Sequence, residues 1–230
     1  ASASRFSYGR PRVDALEDLL RKMRPYELEP GSADKAFDQA IECVMSGIRE
    51  HGVRGAINGF KQAVAIMGTV RYDRSNPRPQ VLIVGEYLLN FHPGANHDIE
   101  DYLESNGLEI IEARMTDVIR KTYFYQDAQA REFRVSQPLA TKAFNRVANR
   151  LFEIAHDTCD GIAKAHPLYE PACRMPELVR ASDPIIHHTF DAGEGGLIPA
   201  ELLPHAARGC RAFVILPPLD RPSNQVGGRG

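Results

Sequence analysis

The sequence predicts an α/β fold: a doubly wound, mostly parallel, Rossmann-like sheet preceded by an N-terminal helical segment. Three observations predict it. Val81-Leu82-Ile83-Val84 is an unbroken apolar run of the kind a strand buried on both faces shows. A helix-patterned stretch and a second apolar run, Leu108, Ile110 and Ile111, follow within roughly 30 residues, which is the size of a βαβ unit. Ala212-Phe213-Val214-Ile215-Leu216 repeats the first signal near the end of the chain. Ahead of these strands the periodicity is helical throughout. The domain division is therefore drawn as a helical segment, 1–76, and a Rossmann-like domain, 77–230.

The elements follow in order. Val13, Leu16, Leu19, Leu20 and Met23 recur at helical spacing, and the pattern stops at Arg24-Pro25. Pro30-Gly31 forms a turn, with Ser32 as the expected N-cap of a second helix. That helix presents Phe37, Ala40, Ile41, Val44, Met45 and Ile48 and closes near Gly52; a third runs from about Val53 to Met67. The loop from Tyr72 to Gln80, holding Pro77 and Pro79, separates the two parts. After the first strand, Gly85-Glu86 and a loop through His92-Pro93-Gly94 lead to Asn96, an expected helix cap. Ile99, Tyr102 and Leu103 line that helix, and Asn106-Gly107 ends it. A long helix is expected from about Pro138 to Ala165, with Phe144, Val147, Leu151 and Ile154 in phase. An irregular stretch from Pro167 to Pro184 follows, then a glycine-rich loop at 191–196 and a short helix from about Pro199 to Ala207. A doubly wound domain continues into a helix beyond its last strand, so the chain is expected to be cut short at its C-terminus.

Composition narrows the function classes. Hydrophobic residues at 43% and charged residues at 25% are those of a globular chain. A formal net charge of −2, from 28 basic and 30 acidic residues, argues against nucleic acid or a membrane surface as a general partner. No apolar run approaches the roughly 20 residues that span a bilayer, and a cytoplasmic location is expected. Cys43, Cys159, Cys173 and Cys210 lie in separate segments without C-x-x-C spacing, which fits free thiols in a reducing compartment.

In open parallel sheets ligands gather beyond the carboxyl ends of the strands. The loops 85–96 and 219–230 meet that description. Gly85, Glu86 and Asn96 are candidate ligand contacts in the first, although Glu86 also suits a solvated strand-end carboxylate and Asn96 a helix cap. In the glycine-rich loop, Gly193, Glu194 and Gly195 are candidates; the glycines also serve as turn formers, and Glu194 is placed to take a proton or a cation. The adjacent His187 and His188 point to opposite faces of an extended chain, so a shared metal is disfavoured. Catalytic residues and metal ligands are not assigned.

Four blocks carry a resemblance. Arg24-Pro25-Tyr26-Glu27 with Pro30-Gly31 is similar to a segment of the 2-hydroxyacyl-CoA (2-hydroxyglutaryl-CoA) dehydratase and CoA-enzyme activase-related family. The run Arg78 to Glu86, with His92-Pro93 and Asn96, resembles that family's strand-and-loop motif. Gly193-Glu194-Gly195, with Ala200-Glu201, resembles a third block, and the last strand with Asn224, Val226, Gly228, Arg229 and Gly230 a fourth. The resemblance implies a dehydratase-like region acting on acyl-CoA thioesters, with a [4Fe–4S] cluster and an activase-type ATPase module as electron donor. The family places a cysteine ligand just after its last strand, within Pro-Phe-Gly-Cys-Leu-Pro-Asn. Here Arg221 stands in its place, within Pro218-Leu219-Asp220-Arg221-Pro222-Ser223-Asn224. A guanidinium gives iron no thiolate, so the expectation is an anion site at Arg221 and Asn224 instead of a complete cluster site. A non-catalytic binding or assembly module with an anion pocket is the alternative. A nicotinamide oxidoreductase is disfavoured, because the glycine fingerprint is missing.

Overall fold

In the computed structural model, which describes residues 2–187 and 196–217, the chain divides into two units. One comprises Ala1–Pro77 and Arg150–Pro171, the other Arg78–Asn149 and Ala172–Gly230. The sequence placed residues 150–171 with the strands. They fold instead with the N-terminal helices.

The first unit is helical. Helix α1 (Ser2–Met23) ends at a 3-10 turn, Arg24–Tyr26, and α2 (Ser32–Met67) follows. Gly52, at φ 60 and ψ −132, interrupts α2 and folds it into a hairpin. The two arms touch through backbone: a Cβ on Gly55 would collide with the Gly47 carbonyl, and one on Gly59 with that of Cys43. Ser32 is not the cap that the sequence suggested. It is the first residue of the helix, and Glu27 reaches over to accept from Gly31 N at 2.6 Å, Ser32 Oγ at 3.2 Å and Ala33 N at 2.8 Å. A carboxylate there also meets the positive end of the helix dipole. Leu16, Leu19, Met23, Phe60, Ala63 and Met67 form the core of this unit.

Cys159, Ala163 and Tyr169 join that core, which explains where residues 150–171 belong. Helix α7 (Leu139–Ala163) turns Ala155, Cys159 and Ala163 inward, and these small residues admit close packing. The Cys159 thiol donates to Pro11 O at 3.3 Å. The apolar stripe named from the sequence, Phe144, Val147, Leu151 and Ile154, is the exposed side of the same helix, from 61% exposed at Phe144 to 40% at Ile154.

The second unit is built on a small open sheet of three parallel strands, β1 (Gln80–Gly85), β2 (Glu109–Glu112) and β3 (Ala212–Leu216), in the order β2-β1-β3. Leu82 stands opposite Ile111 on one side and Phe213 on the other. The apolar run at 81–84 is buried on both faces, as its lack of alternation predicts. Val81 and Ile83 pack with Leu103 of α5 (Ile99–Ser105). Leu82 and Val84 pack on the other face with Ile198 of α9 (Leu197–Ala207).

The connections hold more helix than the sequence suggested. The expected loop after β1 contains two short helices, α3 (Tyr87–Phe91) and α4 (Pro93–Asn96). Beyond β2 lies α6 (Met115–Glu132), a helix the sequence reading passed over. The stretch expected to be irregular holds α8 (Met175–Ser182), which opens with Pro176 at a helix start, where proline is tolerated. Among the described residues no helix is long and apolar enough to cross a membrane.

Candidate functional site

At the carboxyl ends of β1 and β2 the second unit opens into a small cleft, part of it open to solvent. Its position is the one that open parallel sheets offer to ligands. Three segments build it.

The first is the turn out of β1. Gly85 closes the strand against β3 so tightly that a Cβ would collide with the Leu216 backbone, and Glu86 N donates to Leu216 O at 3.0 Å. The Glu86 carboxylate accepts from Leu88 N at 3.1 Å and Leu89 N at 3.4 Å, capping α3. Helix α3 delivers Tyr87, Asn90 and Phe91 to the cleft wall. Asn96 braces the same loop. Its Nδ2 donates to Leu89 O at 2.8 Å and Asn90 O at 3.4 Å, and its Oδ1 accepts from Ile99 N at 3.4 Å, joining the end of α3 to the start of α5.

The second segment follows β2. Arg114 precedes α6, whose first turns carry Asp117 and Val118 into the cleft. Asp117 is buried and pairs with Arg120 at 3.4 Å, both side chains withdrawn from water. The third segment is α9, which contributes Leu197, Ile198 and Glu201.

Glu201 is the electrostatic centre. It is 8% exposed, and burial pushes its carboxyl up to about 8, with the Asp117 carboxylate adding to the rise. The Arg114 and Arg208 guanidiniums oppose that rise without cancelling it. His205 Nε2 stands 3.8 Å away. Glu201 is therefore largely protonated at neutral pH, a hydrogen-bond donor and an acid of the strength that general acid–base chemistry uses. Cys173 belongs to the same neighbourhood: Arg208 Nη2 donates to its sulfur at 3.0 Å, and burial raises its thiol pKa.

Asn90 is the second unusual group. It is 4% exposed, and its Oδ1 has no hydrogen-bond partner among the described residues.

Of the residues named from sequence, Gly85 lines the cleft, while Glu86 and Asn96 build the loop that shapes it. Gly193, Glu194, Gly195, Arg221 and Asn224 lie outside the described residues, as does His188. Sequence reasoning missed Asn90, Arg114 and Asp117 and met Glu201 only within the third block of the resemblance. One signal was present: Arg114 and Asp117 follow the carboxyl end of a strand as surely as Glu86 does, and the same rule applied to that end points to them.

The described cysteines do not fit a [4Fe–4S] cluster. Cys210 is buried beside Gln80 O and Ala212 O, Cys173 sits against a guanidinium, and no three His, Cys, Asp or Glu side chains among the described residues are gathered to hold a metal. Comparison with protein-family models, curated proteins and solved structures finds no match to the chain.

Proposed function

We propose that the cleft binds a small acyl compound and presents Glu201 to it as an uncharged acid. The observation that supports this reading is Glu201, buried at the mouth of parallel strands beside the Asp117 carboxylate, with burial and that charge both raising its carboxyl pKa. A protonated carboxyl donates to a carbonyl oxygen and polarises it, whereas the same group ionised would repel it. Apolar walls from Val84, Phe91 and Ile198 suit an acyl chain. The resemblance carried by Arg78 to Glu86 and by Ala200-Glu201 gives the carbonyl its chemical setting, an acyl-CoA thioester. In its fuller form the reading makes the sheet the core of a doubly wound Rossmann-like layer, the ligand a 2-hydroxyacyl-CoA and the partner an activase-type ATPase module.

Calorimetric titration with butyryl-CoA, CoA and butyrate, repeated across neutral to alkaline pH, tests the reading. Butyryl-CoA should bind and weaken as pH passes about 8, and Glu201→Gln should retain binding without that pH dependence. No binding, or pH-independent binding by the wild-type chain, contradicts it. Loss of water from 2-hydroxybutyryl-CoA separates a lyase from a non-catalytic binding module.

A further inference from the structure

Helix α7 has two faces of apolar and small residues, and the described residues cover one of them. Ala155, Cys159 and Ala163 are turned inward and buried. On a separate face Phe144, Val147, Leu151, Ile154 and Thr158 recur at alternating intervals of three and four residues. That is the a/d spacing of a coiled-coil seam, narrower than the stripe with which a helix meets a globular core. Helix α7 is continuous from Leu139 to Ala163, so its own geometry aligns these positions, and the four apolar ones are exposed. The sequence at 188–195 and 218–230 holds no apolar heptad to lie over them.

The flanking charges indicate which partner fits. Arg150 and Asp157 border the seam on its outer edge, both exposed and one heptad apart. In an antiparallel pair of helices such edge positions face each other across the seam. With Leu151 of one copy against Ile154 of another, Arg150 faces Asp157 twice, once on each side of the two-fold axis. The same register sets Val147 against Thr158 and the bulky Phe144 against Gly161, where a Cβ would meet nothing within 4 Å. Other arrangements lose this match. A slip of one heptad sets Arg150 against Arg150 in one direction and Asp157 against Asp157 in the other. A parallel copy leaves the two charges opposite Ala155 and Ile162.

We propose that the exposed face of α7 is a self-association surface, on which a second copy of this chain lays its own α7 antiparallel, Leu151 against Ile154 and Arg150 against Asp157. This surface shares no residue with the cleft and stands whether or not an acyl-CoA binds there.

Sedimentation velocity of the wild-type chain from about 1 to 100 µM should show a reversible monomer–dimer equilibrium. Leu151→Ser combined with Ile154→Ser, both on the exposed face, should weaken it about 100-fold or more, with the circular dichroism of the wild type retained. Arg150→Glu or Asp157→Lys alone sets like charges together twice and should weaken it about tenfold. An equimolar mixture of these two variants should recover it, because each chain then meets its complement at both edges. A wild type that stays monomeric over this range, or a dimer that survives the seam substitutions, overturns the inference. Charge variants that associate alone as the wild type does, or whose mixture recovers nothing, overturn it too, since pairing through another face or in parallel would behave so.

Discussion

Both units bury polar side chains, and they do so differently. In the helical unit several of the buried groups join one element to another, although the Nε2 of His166 has no hydrogen-bond partner among the described residues. Lys22 meets Asp18 at 3.4 Å and Glu170 at 3.0 Å, Tyr169 donates to Asp160 at 2.6 Å, and Arg12 lies over the Phe60 ring at 6.0 Å. In the α/β unit, Asn90, Asp117 and Glu201 converge on a cleft; one lacks a partner and another is held in its weaker-acid form. Buried polarity answered by protein is architecture. Buried polarity facing an opening marks a ligand site.

The largest test of that contrast removes the helical unit's most buried ring. Phe60→Ala, at a fully buried position, should cost about 3–5 kcal/mol, read by denaturant unfolding. Its effect should fall on stability, with acyl-CoA affinity of the folded fraction unchanged. A selective loss of affinity would break the distinction between the units.

The next largest effect depends on pH. The folded-state pKa of Glu201, about 8, lies above its ordinary value of 4.5. The unfolded chain therefore releases this proton first, and the stability contributed by the group is full below about 4.5 and lost as pH rises through about 8. Glu201→Gln should match the wild type in stability near pH 5 (about) and exceed it by a few kcal/mol at about pH 9, measured by urea melts at each pH. Equal pH profiles would show that Glu201 is hydrated and would erase the contrast.

Smaller effects sharpen the helical side. Gly55→Ala forces a methyl group into the Gly47 backbone and should cost about 1–3 kcal/mol by the same melts. Glu27→Ala strips the start of α2 of its acceptor and should cost about 1 kcal/mol. Neither should alter ligand affinity.

The comparison also shows what a sequence makes legible. The strands were readable because two-sided burial leaves an uninterrupted apolar run, and Val81 to Val84 is such a run. The ends of α5, at Asn106-Gly107, were readable because a left-handed Gly107, at φ +83, has few substitutes. Helix α6 was not. Its first turns bury Thr116, Asp117, Arg120 and Lys121, so its inner face is polar and shows no apolar period. The same polarity hid half of the site, because Arg114 and Asp117 resemble a solvated face until Glu201 is brought beside them. Phe144, Val147, Leu151 and Ile154 made α7 legible as a helix within two residues of its ends, although their stripe is its exposed side. Burial near Glu201 arises from residues distant in the chain, and local pattern does not encode it.

The central claim is that Glu201 holds a proton at neutral pH. Carbon-13 NMR of the glutamate side-chain carboxyls, compared between the wild type and Glu201→Gln, measures that proton directly. A resonance absent from the variant and titrating near pH 8 (about) is the result expected from its buried position. A midpoint in the ordinary carboxylate range would contradict the account.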